Sequence, residues 1–314
     1  MKIINTIVLT ILMCSTGFAQ SVTLGDVYPK EVKVQGFSVA QSGDVEISGA
    51  GAVFEDDWKL LIYYGWIIDA DSREVVWHLF DFMRDQDSRD IDGPFDFKSK
   101  VDLDKGNYEL YFAAMYSNRN WDNRHRHWDG DWGYNGFSET MDWLFGSREK
   151  ERYRRTAQDD LYIKLSGSGI KTEDAARFLA DKRQDAVVSI VKTRDDERFS
   201  EGFTLTGETK LRVYCLGEGD DDEMFDYGWI IDANTRERVF EMDYRSSKFA
   251  GGAKKNMKMD ERITLPAGSY LVNYTTDDSH SFERWNALPP DDIQFWGISV
   301  WADPKDKNKV VAYK

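Results

Sequence analysis

The sequence predicts an all-β protein built from two tandem antiparallel β-sandwich domains of jelly-roll type, joined by a short helical linker. Three observations predict it. The stretch YYGWIIDADSREVV, residues 63–76, returns as DYGWIIDANTRERV, residues 226–239. Many short segments alternate apolar and polar residues, which is the period of a half-buried strand. Helical periodicity is confined to one segment near the middle of the chain.

The repeated stretch belongs to a longer internal repeat. GFSVAQSGDVEISGAG from Gly36 parallels GFTLTGETKLRVYCLGEG from Gly202. VDLDKGNYELYF, residues 101–112, parallels ITLPAGSYLVNY, residues 263–274, and LYIKL from Leu161 parallels WGISV from Trp296. Order and spacing are kept over most of both halves, so we expect a duplicated domain and not a solenoid of short repeats.

The repeated stretch itself is predicted to be a hairpin. In YYGWII, alternate residues share a face, and the polar loops DADS and DANT supply side chains that bond to their own backbone in turns. We expect Trp66 and Trp229 to fill the two cores, and the alternative is that they stack on a ligand. Gly65 and Gly228 are expected to admit a close neighbour.

The predicted domains are residues 21–167 and 184–314. Between them, KTEDAARFLADKRQDA from Lys171 carries an apolar stripe at helical spacing, which predicts a linker helix over residues 168–183. The first domain differs from the second by an aromatic-rich insertion at about residues 118–157.

The N-terminus has the pattern of a secretory signal peptide over residues 1–19. Lys2 precedes an apolar run over residues 3–13, and small residues, Gly17 and Ala19, follow. We expect cleavage before Gln20 and export to the periplasm or the exterior, and no transmembrane segment in the mature chain. A lipoprotein anchored through Cys14 is less consistent with the sequence, because Met13 stands where a small residue is needed.

Composition excludes some classes of protein. The chain has 41 Lys and Arg against 56 Asp and Glu, a formal net charge of −15, which disfavours a nucleic-acid partner. Of its 2 cysteines, Cys14 leaves with the signal peptide. Cys215 therefore has no internal disulfide partner, and its apolar neighbours predict a buried thiol.

The second half resembles a module of secreted bacterial proteins of unassigned function. The residues that carry the resemblance are LRVYCLGEG, YGWIIDANTRERV, AGGAKKN, LPAGSYLVNYTTDDSHS and WNALPPDDIQFWGI. Their layout is also similar to that of bacterial pre-peptidase C-terminal domains. The first half matches in part, because it lacks AGGAKKN and PPDD. The resemblance implies a non-catalytic β-sandwich and carries over no catalytic residues.

The insertion in the first half is the candidate ligand-binding segment. Exposed aromatic faces stack on sugar rings, and neighbouring Asp and Asn side chains bond to hydroxyl groups. The alternative is a small satellite core that the loop forms on itself. The candidate binding residues are Trp121, Trp128, Trp132, Tyr134 and Trp143.

Acidic residues in GEGDDDEMFD form a candidate calcium site, since calcium takes several carboxylate and carbonyl oxygens. A solvated acidic loop is the alternative. The candidate ligands are Asp220, Asp221, Asp222, Glu223 and Asp226. A weaker transition-metal candidate pairs His125 with His127, with Asp122 and Asp129 nearby. No cofactor is otherwise predicted.

Function is predicted only broadly. Asp277, Ser279 and His280 stand close together in TTDDSHS, but no nucleophile elbow surrounds a serine, and a turn explains them. We expect an exported, non-catalytic binding protein whose partner is a polysaccharide or another envelope protein. The alternatives are a hydrolase with acidic catalytic groups and a purely structural envelope protein.

Overall fold

The predicted all-β class is confirmed. A computed structural model of the chain describes residues 20–27, 31–54, 57–85, 94–117 and 161–312, and its sheets are antiparallel. The expected signal peptide, residues 1–19, and the aromatic-rich insertion lie outside the described residues. We use "first half" for residues 20–173 and "second half" for residues 188–312. Among the described residues, no helix is long and apolar enough to cross a membrane.

One curved sheet contains the nine strands of the first half. These strands are β1 (Gln20–Gly25), β2 (Val32–Val39), β3 (Gly43–Phe54), β4 (Asp57–Asp69), β5 (Val75–His78), β6 (Pro94–Leu103), β7 (Gly106–Ser117), β8 (Tyr162–Gly167) and β9 (Ile170–Glu173). The order is β1-β8-β3-β4-β7-β2-β9, with β5 on β4 and β6 on β3. The edge strands β1 and β9 approach each other, so the sheet nearly closes into a barrel. Helix α1 (Leu79–Asp85) follows β5.

Two sheets form the second half. Its strands are β10 (Val188–Val191), β11 (Arg198–Leu205), β12 (Thr209–Asp220), β13 (Glu223–Met224), β14 (Tyr227–Asp232), β15 (Arg238–Glu241), β16 (Lys248–Phe249), β17 (Asn256–Leu265), β18 (Gly268–Thr275), β19 (Gly297–Ala302) and β20 (Val310–Ala312). One sheet has the order β10-β19-β12-β17-β16, with β13 on β12, and the other β15-β14-β18-β11-β20. Short 3-10 helices lie at Ile293–Phe295 and Lys307–Lys309.

The same pairing order occurs in both halves. Strands β5-β4-β7-β2-β9 correspond to β15-β14-β18-β11-β20, and β1-β8-β3-β6 to β10-β19-β12-β17. The first half differs from the predicted two-sheet sandwich because β3 also pairs with β4, through Ala52 and Tyr63. In the second half, Asp221 and Asp222 turn the chain back at positive φ into β13, which pairs with the end of β12.

The expected linker helix begins later than predicted. Residues 170–173 form β9, which pairs with β2 and completes the first sheet. Helix α2 (Ala175–Gln184) starts where the Asp174 side chain accepts a hydrogen bond from the backbone N–H of Ala176. Its Leu179 packs in a cluster with Tyr214 and Trp296 of the second half. The segment is therefore a packed element between the sheets, and not a free linker.

Each half buries its own apolar interior, although residues from the second half also join the core of the first. Leu288 and Ile293 pack within the cluster built around Ile47, Tyr111 and Phe112. The second cluster contains Cys215, which is 0% exposed, as the sequence predicts. Burial raises the pKa of this thiol far above its ordinary value, so it packs as a small apolar side chain.

Candidate functional site at the junction of the two halves

The two copies of the repeated hairpin close with the same turn. Oδ1 of Asp69 accepts hydrogen bonds from the backbone N–H groups two and three residues later, and Oδ1 of Asp232 does the same. The register of the hairpin shifts at the same place in both copies, between Ile67 and Ile68 and between Ile230 and Ile231. The predicted short polar loop is therefore an Asx-type turn in both copies.

The two turns differ in the burial of the arginine that each contains. Arg73 and Arg236 have φ angles of 62° and 66°, and each donates its backbone N–H to the aspartate that starts the turn. Arg73 is nevertheless only 1% exposed, whereas Arg236 lies on the surface. The same local structure thus points one guanidinium into the junction and the other into solvent.

Arg73 connects the first half to the second through two carboxylates. Its Nη1 and Nη2 donate to the oxygens of Glu109 at 2.6 and 3.0 Å, and its Nε and Nη2 donate to Asp292 at 3.0 and 2.7 Å. Phe295 packs against the guanidinium, whose carbon lies 4.5 Å from the ring centre. Burial alone would lower the pKa of Arg73, but the two carboxylates outweigh it and hold that pKa well above its ordinary value. The arginine is therefore a permanent buried cation.

Two buried tyrosines complete the hydrogen bonding of these carboxylates. The Tyr111 hydroxyl donates to Glu109 at 2.6 Å, and the Tyr214 hydroxyl donates to Asp292 at 2.9 Å. Burial and the neighbouring carboxylates raise the pKa of both phenols well above the ordinary value, so both stay protonated as donors. We name Arg73, Glu109, Asp292, Tyr111 and Tyr214 the junction network.

The segments that the first half lacks are the ones that build the junction. Gly251 and Gly252 of AGGAKKN have φ angles of 88° and 68°. A Cβ on Gly251 would lie 2.1 Å from the Asp291 carboxyl carbon, and one on Gly252 would lie 1.9 Å from the Pro289 oxygen. The bend therefore packs directly on PPDD, and the Trp66 indole N–H donates to the Asp291 carbonyl at 3.1 Å. Together these contacts place Asp292 over the first half.

Trp66 and Trp229 occupy equivalent strand positions but differ in burial. Trp66 is 3% exposed and stacks on Tyr111 with a centroid distance of 5.0 Å, beneath the PPDD segment. Trp229 is half-buried, and the Arg238 guanidinium lies 5.7 Å from its ring centre. The expectation of a core role holds for Trp66, whereas Trp229 lies partly at the surface.

A cleft of about 300 Å³ opens beside the junction network. The buried Arg73 and Asp292 line this cleft, and so does Phe249, which is 42% exposed. The full lining comprises Arg73, Glu74, Val75, Tyr214, Phe249, Ala250, Gly251, Lys258, Asp291 and Asp292. The cleft therefore combines one exposed aromatic face with a mainly polar and charged lining.

The ligand-binding segment expected from sequence is not among the residues that the structure describes. The aromatic residues Trp121, Trp128, Trp132, Tyr134 and Trp143 fall outside the described residues, as do His125 and His127.

The expected calcium ligands separate into two groups. Asp221, Asp222 and Glu223 are exposed on the β12–β13 turn, and Asp220 is partly exposed beside them. Asp226 is 0% exposed, and its carboxylate meets those of Glu218 and Asp277 instead.

The TTDDSHS segment does not assemble a triad. His280 is buried, with Nδ1 2.9 Å from Asn286 Oδ1 and Nε2 2.6 Å from Asn256 Oδ1. Its ring nitrogens therefore face asparagine side chains and not a serine hydroxyl. Burial, and then the charge of Lys255, hold the pKa of His280 well below its ordinary value. The segment forms a turn in which the Asp277 side chain accepts a hydrogen bond from the Ser279 backbone N–H at 2.9 Å, which is the interpretation that the sequence favoured.

Sequence reasoning missed the junction network. Glu109 was the available signal, because it is a charged residue within the apolar strand segment YELYF. Glu109 pairs with Ile68, whereas at the equivalent place in the second half Leu271 pairs with Ile231. A charge in the middle of an apolar strand indicates a buried ionic partner. No family model matches the sequence, and no curated protein is detectably similar to it.

Proposed function

We propose that the chain is an exported, non-catalytic binding protein, built from two copies of one β-module, whose junction cleft binds a neutral polysaccharide. The cleft beside Arg73 and Asp292 is the observation that carries the binding role. The signal-peptide pattern of residues 1–19 supports export. The resemblance in layout to pre-peptidase C-terminal domains fits a binding role without catalysis.

Structural features, in addition to the repeated sequence segments, support the duplication of one module. Both halves share a strand order, an Asx-type turn and the position of a register shift in the hairpin. Gly65 and Gly228 also serve the same packing. A Cβ on either would lie within 3 Å of an isoleucine Cδ1, that of Ile163 in one half and Ile298 in the other. On this proposal, the first half is a sandwich whose two sheets have joined through β3 and β4.

A hydroxyl-rich ligand suits the chemistry of the cleft. Phe249 offers a ring face for a sugar, while Lys258 offers a donor and the exposed Glu74 an acceptor. The chain carries a net charge of −15, and three carboxylates line the cleft against two cations, Arg73 and Lys258, so an anionic polymer is disfavoured. A neutral polysaccharide is the polymer class that both features allow.

Binding fits the cleft better than hydrolysis does. Acid-catalysed glycoside hydrolysis needs one carboxyl group that keeps a proton to donate. Both oxygens of Asp292 already accept hydrogen bonds, Oδ1 from Arg73 and Oδ2 from Arg73 and Tyr214. A carboxyl group engaged in this way positions other groups and is not free to approach a glycosidic oxygen.

Affinity electrophoresis in gels containing neutral or uronic-acid-rich polysaccharides tests the proposed function. We expect retardation of the full chain in at least one neutral polysaccharide, and we expect Phe249→Ala to weaken it by about tenfold, roughly one aromatic contact. Phe225→Ala is the matched control, because Phe225 is similarly exposed, at 39%, but does not line the cleft. Equal retardation of both variants would place binding elsewhere, and no retardation in any neutral gel would refute a glycan partner.

A further inference from the structure

We propose that Glu218, Asp226 and Asp277 bind one hard divalent cation, with Ca²⁺ as the best fit. One carboxylate oxygen from each residue lies within 4.8 Å of the others. Ca²⁺ holds its oxygen ligands at about 2.3–2.6 Å, so ligands of one ion lie up to ~5 Å apart. The spacing of the three carboxylates is therefore that of a single coordination shell.

The backbone fixes two of these ligands opposite each other. Glu218 donates its N–H to the Asp226 carbonyl at 3.1 Å, and Asp226 donates its N–H to the Glu218 carbonyl at 3.2 Å. Asp277 follows β18, and its N–H donates to Oδ1 of Asp226 at 2.9 Å. The three side chains are thus held in place without any contribution from a cation.

Two carboxylate oxygens of the cluster are buried without a hydrogen-bond partner. Oε1 of Glu218 accepts from Lys255 at 2.7 Å, but Oε2 has no donor. Oδ1 of Asp226 accepts from Asp277, but Oδ2 has no donor. Glu218 is 5% exposed and Asp226 is 0% exposed. A buried carboxylate oxygen without a donor is costly, and a cation supplies the missing partner for both.

Charge and access also suit a divalent ion. With all three carboxylates ionised, Lys255 reduces the local charge from −3 to −2, which one divalent cation neutralises. Asp277 is only half-buried, so water reaches the cluster from its side. Three carboxylate ligands and water favour a hard cation over zinc.

The fold does not require these acids. At the matching place in the first half, β3 and β4 pair through Ala52 and Tyr63, which are 0% and 2% exposed. An apolar pair thus suffices there. In the second half, the cation would connect β12 of one sheet to the segments beside β14 and β18 of the other. The cation would link the two sheets of the second half, in which Cys215 forms no disulfide.

Calorimetric titration of CaCl₂ into the chelator-treated full chain, together with thermal melts, tests the proposal. We expect one binding event per chain and a rise in melting temperature on the order of 5–10 °C at a Ca²⁺ concentration about 100 times Kd. Asp226→Asn and Glu218→Gln should each abolish the response and still fold, because each amide has nearly the shape of the carboxylate that it replaces, and the Ca²⁺-free melting temperature of each variant is the reference for its own response. Asp221→Asn, in the adjacent exposed turn, should respond as the wild type does.

The outcomes separate the proposal from its alternatives. Absence of Ca²⁺ binding by the wild type, or a full response from both Asp226→Asn and Glu218→Gln, overturns it. Loss of the response in Asp221→Asn places the ion in the exposed acidic loop and also overturns it. The polysaccharide assay does not depend on these variants, since none of the three ligands lines the junction cleft. Failure of the cation site and failure of the proposed function are therefore distinguishable.

Discussion

Arg73 and Asp292 lie 219 residues apart in the chain and form a buried two-point ion pair, with a shortest distance of 2.7 Å. The adjacent edge of the same guanidinium, Nη1 and Nη2, donates to Glu109. Burying three charges is costly, and here every charge has a partner and a hydrogen bond. The pair fixes the PPDD segment of the second half on the hairpin of the first, and thereby shapes the cleft beside it.

Replacing Arg73 should destabilise the chain far more than replacing its counterpart Arg236. Arg73→Met leaves Glu109 and Asp292 buried without a cation, which costs about 3–5 kcal/mol. Arg236→Met changes an exposed side chain at the same turn position and the same φ, so the free energy of unfolding should move by no more than about 0.5 kcal/mol. Urea denaturation of both variants measures the difference. Equal effects would mean that the ion pair adds nothing beyond the turn.

Gly252→Ala should disrupt the junction. The residue has a φ of 68°, and its Cβ would lie 1.9 Å from the Pro289 oxygen, so strain and overlap combine to cost at least about 2 kcal/mol. Gly207→Ala is the control, because its nearest neighbour would be Lys309 Cδ at 3.8 Å. Thermal melts of the two variants give the comparison. A melting temperature for Gly252→Ala that matches that of Gly207→Ala would show that the bend does not hold the PPDD segment tightly.

The turn at Asp232 should contribute stability that depends on pH. The backbone N–H groups of Thr235 and Asn234 bond to its carboxylate and lower its pKa from the ordinary value. Because the folded pKa is depressed, the contribution is present above the unfolded pKa of about 3.9 and is lost as pH falls through the folded pKa. The wild type should therefore exceed Asp232→Asn in unfolding free energy at pH 6, and the gap should close towards pH 3. A gap that is constant with pH would contradict this assignment.

Sequence patterns predicted what depends on local residues. The β class, the hairpin and its polar turn, and the burial of Cys215 follow from alternation and from side chains adjacent in the chain. Gly65 and Gly228 were expected to admit a close neighbour, and both do. These features need no knowledge of how distant strands meet.

What the patterns missed depends on distant pairing. Arg73 and Arg236 lie in nearly identical sequence stretches. Arg73 is buried because Glu109 and Asp292, from distant parts of the chain, bind its guanidinium. The joining of β3 to β4 in the first half depends likewise on a pairing that local patterns do not show, because the equivalent strand end of β12 in the second half pairs with β13 instead. The acidic cluster was predicted only in part. Asp226 was among the expected calcium ligands, but Glu218 precedes the run of consecutive acids at residues 220–223, and Asp277 follows a strand about 50 residues later in the chain.

The central claim is that the junction network makes the two halves one folding unit, since a cleft between them is fixed only in that case. Differential scanning calorimetry of the full chain tests it most directly. We predict a single transition whose calorimetric and van't Hoff enthalpies agree, at a ratio of about 1, and two separated transitions for Arg73→Met. Two well-separated transitions in the wild type would contradict the claim, because each half would then unfold without the other.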